Sequence, residues 1–226
     1  MSYGDENNLT NPEILHLELL DRFGLEFGSM HFELSKILPK KHLVSRFLKE
    51  TTAGNLLSEN GPWLAGGTLR RLLAGETFDT NDFDIFFRDV DQRNAYEKQL
   101  AEAGYQEVYR CPQNLLTTYY DKHDNKVQSI GVNFYSDAEL VIDSFDFTVS
   151  QVVTDGLVVW IGEHTLHDTA NRYINLHTLT HPNATMRRVE KYVQHGYHMT
   201  PAFIDDFTSM ISLSAPANFN WEHYVD

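Results

Sequence analysis

Between Trp63 and Phe87 the apolar pattern changes period twice. Trp63-Leu64-Ala65 is a short continuous apolar run. After Gly66-Gly67, Leu69, Leu72 and Leu73 recur at helical spacing. From Asp82 the pattern alternates, with Phe83, Ile85 and Phe87 on one side and Asp82 and Asp84 on the other. This succession predicts a strand, a glycine turn, a helix, a loop and a second strand.

Upstream, residues 1–12 are polar and predict a loose tail. Residues 14–27 have helical spacing, broken at Gly24 and Gly28, and residues 30–50 are expected to be helical around a break at Pro39. Downstream, DQRNAYEKQLAEAGY predicts a helix stopped by Gly104. Residues 105–110, 115–120 and 126–135 are rich in β-formers, with the turn DKHDNK between the last two. Val141 to Val153 is expected to form one long strand, and Asp155-Gly156 a hairpin turn into Leu157–Ile161. Residues 165–213 carry helical spacing, punctuated by Pro182, Gly196 and Pro201. The expected class is α+β. The expected divisions are a helical extension over 1–55, a sheet-bearing domain over 56–163 and a helical module over 164–226.

Composition narrows the range of functions. Acidic residues outnumber basic ones by 32 to 18, a net charge of −14, which disfavours a protein coated in nucleic acid. Two basic stretches stand out against it: Lys36, Lys40, Lys41, Arg46 and Lys49, then Arg187, Arg188 and Lys191. A single cysteine, Cys111, excludes an intramolecular disulfide and fits a reducing compartment. No apolar run reaches the roughly 18 residues of a membrane span, so a cytoplasmic protein with no membrane partner is expected. Among eleven histidines, the pairs His177/His181 and His195/His198 have no third ligand at metal-binding spacing.

The chemistry concentrates in the first segment. Gly66-Gly67 lets the backbone turn sharply and lets a phosphate approach the amides at a helix start. Thr68 can cap that helix or touch a phosphate, and Arg70 or Arg71 can add a charge-assisted contact. Asp82 and Asp84 share a strand face, roughly 6.5–7 Å apart. Carboxylates so placed suit Mg²⁺ and substrate phosphates, and can grip a metal pair. A third acid is expected from the 141–153 segment. Strand parity puts Asp146 on its polar face, and Asp143 is the alternative.

Taken in order, Gly66, Gly67, Arg70, Gly75, Asp82 and Asp84 resemble the head domain of the polymerase-β-type nucleotidyltransferase superfamily. The likeness is nearest to bacterial poly(A) polymerases and CCA-adding enzymes. Residues 186–192, running on to Gly196-Tyr197, are a looser version of the helical neck of those enzymes, and Arg71 stands where the family usually has Asp. The resemblance implies a nucleotidyltransferase-like mixed sheet followed by a neck-like helical module. It implies two Mg²⁺ ions (Mn²⁺ as substitute) on Asp82, Asp84 and Asp146, and a triphosphate on the glycine turn. The implied reaction moves NMP from an NTP to an acceptor hydroxyl, such as an RNA 3′ end, and releases pyrophosphate. The alternative is a catalytically silent nucleotide- or RNA-binding module of the same fold.

Overall fold

The computed structural model describes residues 30–33, 56–74, 82–113, 115–179 and 181–214. The expected tail, the helical spacing of residues 14–27, the first basic stretch and Gly75 lie outside these. The glycine turn and its flanks form as their pattern dictates. Strand β2 (Trp63–Ala65) runs into helix α1 (Gly67–Leu73), and β3 (Asp82–Phe86) follows. Helix α2 (Val90–Glu102) starts at Asp89, whose Oδ1 accepts from the Gln92 N–H at 2.7 Å. It ends before Gly104, at φ 92°. Strands β4 (Gln106–Arg110), β5 (Leu116–Tyr120) and β6 (Lys126–Ile130) form a meander. The β5–β6 turn is held by Asp121, whose Oδ1 accepts from the amides of His123 and Asn125.

Three expectations are corrected here. Residues 141–153 are not one strand. Helix α3 (Ala138–Asp143) is followed by a 3₁₀ turn (Thr148–Ser150) and the short strand β7 (Val152–Thr154). The helix is nucleated from outside the apolar run: Asp137 caps it by accepting from the Leu140 N–H at 3.0 Å. Residues 30–33 are strand β1 (Met30–Glu33), paired antiparallel with β8 (Val158–Ile161), rather than helix. The 126–135 segment leaves the sheet at Gly131, where an added Cβ would stand 2.0 Å from Arg93 Nη1. The C-terminal part is mostly helical as expected: α4 (Thr165–Asn171), α5 (Pro182–Gln194) and α6 (Pro201–Ser214). It also holds a parallel two-stranded ribbon, β9 (Tyr173–Ile174) with β10 (His198–Met199).

Among the described residues the main sheet has eight strands in the order β1-β8-β7-β2-β3-β6-β5-β4. Its neighbours pair antiparallel except β3 with β6, which are parallel. Period-2 alternation sends Leu64, Phe83, Ile85 and Val127 to one face, where they pack with Leu69, Leu73, Tyr96, Leu100 and Leu166. Trp63, Ala65 and Val153 go to the other, under Val141 and Ile142 of α3. A third cluster joins the 3₁₀ turn to the C-terminal part through Phe147, Val149, Ile174, Val189, Tyr197 and Phe203. Leu166 of α4 belongs to the main core, so the packing does not part at residue 163.

Candidate active site

Asp82 and Asp84 project from the sheet face that α3 covers, because Asp84 pairs with Ala65 of β2. On the other side β6 runs parallel, placing Lys126 opposite Asp82 and Gln128 opposite Asp84. Lys126 Nζ lies 3.5 Å from Asp82 Oδ1. Asp82 is exposed and Asp84 half-buried. Burial, and then the neighbouring charge of Asp82, push the Asp84 carboxyl up to about 6, although Lys126, Lys191 and Arg188 pull it down. A carboxylate pair held at such electrostatic cost attracts cations.

The glycine turn adjoins this pair. Gly66 has φ 78° and ψ −130°, a conformation that favours glycine. Its N–H donates to the Val152 carbonyl at 2.9 Å, which ties the turn to β7. At Gly67 a Cβ would meet nothing within 4 Å. The first turn of α1 is therefore approachable from outside. The Thr68 hydroxyl donates to the Asp82 carbonyl at 2.5 Å, which fixes the α1 start against the β3 start. Thr68 thus ties the turn to the acidic strand.

Arg70 points elsewhere. It is buried, its Nη1 donates to the Tyr197 hydroxyl at 2.8 Å, and its guanidinium lies 5.1 Å from the ring centres of both Tyr192 and Tyr197. Arg70 therefore joins α1 to the C-terminal helices. Arg71, its neighbour, is half-buried.

The third acid does not sit on a strand. Asp146 lies between α3 and the 3₁₀ turn and is 7% exposed. Its Oδ2 accepts from Thr185 Oγ1 at 2.8 Å and forms an ion pair with Arg188 Nη1; both partners are on α5. Asp143, at the end of α3, is exposed, with His177 Nε2 3.9 Å from its Oδ1. Among the described residues no three His, Cys, Asp or Glu side chains gather at metal-binding distance. The donor set present is thus a carboxylate pair, Asp82 and Asp84, and its all-oxygen chemistry fits a hard divalent cation shared with substrate phosphates. Sequence patterning did not assign Lys126, Arg188 or Lys191 to this pair. The first is set by β3–β6 register and the others by how α5 docks.

A family model described as Gabija anti-defense 2 family protein matches residues 38–172, more than half of the chain. The chain belongs to the Gabija anti-defense 2 family. A Gabija anti-defense 2 protein of Bacillus phage SPbetaL7 is 30% identical over 152 residues, covering 66% of this chain and 37% of that relative. The match thus spans little more than a third of the relative's length. Solved structures of CCA-adding enzymes share the fold of this Gabija anti-defense 2 family member. The Thermotoga maritima enzyme complexed with tRNA superposes with TM-score 0.57 at 16% identity, over 81% of this chain and 46% of that one. A CCA-adding enzyme complex with ATP gives TM-score 0.61 at 12% identity, over 81% and 47%. The complex with CTP gives 0.58 at 15% identity, over 81% and 46%. The fold is that of a polymerase-β-type nucleotidyltransferase head, as the glycine turn and the acidic strand imply.

Proposed function

We propose that this chain is a metal-dependent nucleotidyltransferase that moves NMP from an NTP to an acceptor hydroxyl, and that it serves to counter Gabija defence, as the name of its family describes. The observation that carries this reading is the contact between the Gly66-Gly67 turn and the Asp82/Asp84 strand. An anion-accepting backbone start and a cation-attracting carboxylate pair meet there through Thr68. Asp82 and Asp84 would hold Mg²⁺ or Mn²⁺, with Asp146 joining them only after leaving Arg188. The cation, when bound, neutralises phosphate charge and acidifies the acceptor hydroxyl. The chain's own residues do the rest. Gly67 offers an open amide to the phosphates. Thr68 keeps the turn at a fixed distance from the acids. Lys126 on the edge of the pair adds positive charge near the leaving pyrophosphate. Positioning and charge neutralisation are the main requirements of phosphoryl transfer.

The test is label transfer from each α-labelled NTP, with Mg²⁺ or Mn²⁺, to RNA or to protein, alongside Gabija protection in cells. Wild type should transfer label and release pyrophosphate, whereas Asp82→Ala and Asp84→Ala should lose transfer while remaining folded. Full activity in both variants would refute the assignment. One observation favours the second reading, a nucleotide- or RNA-binding module without turnover: the Asp146 carboxylate is already engaged by Thr185 and Arg188. Nucleotide binding with no label transfer to any acceptor is the outcome that would select it.

A further inference from the structure

The strand register carries the floor of the candidate site beyond the two aspartates. Asp82 pairs with Lys126 of β6, Lys126 with Tyr120 of β5, and Tyr120 with Gln106 of β4. The next row runs Asp84, Gln128, Thr118, Tyr109. Directly opposed residues share a sheet face. Both rows therefore lie on the face of the carboxylates, while Tyr119 and Val127, which alternate with them, join the core with Tyr96 and Leu100 of α2. Helix α3 packs over Trp63, Ala65 and Val153, at the β2–β7 end of this face. At the β4 end Tyr109 is 43% exposed, Gln106 is exposed, and Tyr120, Lys126 and Gln128 are half-buried. Among the described residues, none hydrogen-bonds the side chains of Gln106, Tyr109, Tyr120 or Gln128. The edge strand is also shaped to present its ring. Between Glu107 and Tyr109 the register shifts by one residue, a bulge that puts Tyr109 opposite Thr118. Without the shift Tyr109 would oppose Thr117, which faces Arg93 of α2. Bulges re-aim side chains in this way, and they concentrate at sheet edges and beside active sites.

We propose that this lane, from the Asp82/Asp84 pair across β6 and β5 to β4, holds the single-stranded 3′ segment of an RNA acceptor. The inference rests on the reading of the chain as a nucleotidyltransferase and names the acceptor that reading leaves open. The lane is continuous with the carboxylate pair and spans three strand spacings, about 14 Å, room for a few nucleotides of single strand. Tyr120 and Tyr109, two and three strands from the acids, offer rings on which bases stack. Gln128 and Gln106 sit in the same rows with their amides uncommitted, and such groups pair with base edges and with the 2′-hydroxyls that distinguish RNA. The 3′ hydroxyl then lies at the Asp82/Asp84 end. Charge fits this mode of binding. Lys126 is the one cation in the two rows, and a chain of net charge −14 is poorly suited to hold RNA through its phosphates. Stacking therefore supplies most of the affinity, and the contact stays short and local.

The experiment is binding of a 5′-fluorescein-labelled hexaribonucleotide to the full chain, read by anisotropy, in wild type, Tyr109→Ser, Tyr120→Leu and Asp84→Asn. Label transfer from α-labelled NTP to the same RNA is measured alongside. Tyr109→Ser and Tyr120→Leu should each weaken RNA binding about five- to a hundredfold, and should raise KM for RNA in label transfer. Tyr109→Phe should restore binding. The Tyr109 ring lies on the surface, so Tyr109→Ser keeps the question answerable if Tyr120→Leu folds poorly. Asp84→Asn should lose transfer yet still bind RNA, which separates the lane from the chemistry. The slope of log affinity against log salt should be no steeper than about −1.5, as for one or two phosphate contacts. DNA of the same sequence should bind at least about threefold more weakly, for want of the 2′-hydroxyls. RNA labelled by wild type, with binding unchanged in both tyrosine variants, would overturn this inference alone. So would label transfer to protein and not to RNA, a steeper salt slope, or DNA bound as tightly as RNA. Tyrosine-dependent RNA binding with no transfer to any acceptor would uphold the lane and overturn the transferase reading. Neither RNA binding nor transfer would overturn both.

Discussion

At the scale of single residues, Asp84 couples the site to stability. Its folded carboxyl titrates near 6 against an ordinary value of 3.8, so between those pH values the folded chain holds a proton that the unfolded chain has released. Stability from this group therefore falls as pH rises from about 4 to about 6 and is level above that. Asp84→Asn removes the penalty. In chelator, it should stabilise the protein by about 1–3 kcal/mol above pH 6.5 and by little at pH 4, as measured by urea unfolding at a series of pH values. A difference that stays constant across that range would refute the shift. The two glycines beside it separate conformation from recognition. Gly66 has positive φ, and its Cβ would stand 3.3 Å from Phe145 Cε1, so Gly66→Ala should cost about 1–3 kcal/mol. Gly67 opens the first turn of α1 and faces empty space, so Gly67→Ala should leave stability unchanged or raise it by up to about 1 kcal/mol. If a phosphate rests on that amide, the same variant should weaken NTP binding several-fold in a titration. Unchanged binding would move the phosphate site elsewhere.

At the scale of elements, what was legible in the sequence was what is encoded locally. The glycine turn, the alternation of β3, the capped α2 and the Asp155-Gly156 hairpin each carry their own signal. In that hairpin Asp155 Oδ1 accepts from both Leu157 and Val158 amides, with Gly156 at φ 93°. Residues 141–153 misled because Val141, Ile142, Val149, Val152 and Val153 are β-formers, while the signal that decides the segment is the Asp137 cap outside it. Once α3 forms, strand parity no longer locates Asp146. Nor could local sequence reveal that its partner is Thr185, 39 positions away. The meander strands show the reverse case, where a tertiary contact ends a strand. Arg93 is 2% exposed and donates to Glu97, Ser129 and Thr117, filling the space above Gly131. Burial raises the Glu97 carboxyl, but hydrogen bonds from Ser129 and Arg110 outweigh that and hold it below its ordinary value. Gly131→Ala would drive a methyl into the pinned guanidinium, at a cost of about 2–4 kcal/mol in urea unfolding. A loss under about 1 kcal/mol would mean that the network yields, and that the end of β6 is set by something else.

At the scale of the whole molecule, the question is how the C-terminal helices report on the site. Arg70 stands on α1, which begins within the glycine turn, and it is enclosed by Tyr192 of α5 and by Tyr197. Tyr192 is anchored in turn, with its hydroxyl 2.6 Å from Ser150 Oγ and its ring packed edge-on to Phe147. The helix that begins in the glycine turn and the helix that presents Arg188 to Asp146 are therefore joined by a cation–aromatic contact. Such a contact is worth about 0.5–2 kcal/mol when desolvated. Losing the Ser150 bond by Tyr192→Phe should cost about 1 kcal/mol on its own. If Arg70 and Tyr192 form the joint, Arg70→Met and Tyr192→Leu should be non-additive by about 0.5–2 kcal/mol in a double-mutant cycle. Arg70→Met should then also alter hydrogen exchange in α5, 112 or more residues along the chain, because the cation that steadies Tyr192 is gone. Strict additivity, with α5 exchange unchanged, would mean that the two helices rest on the sheet independently. The glycine turn would then be insensitive to how α5 packs.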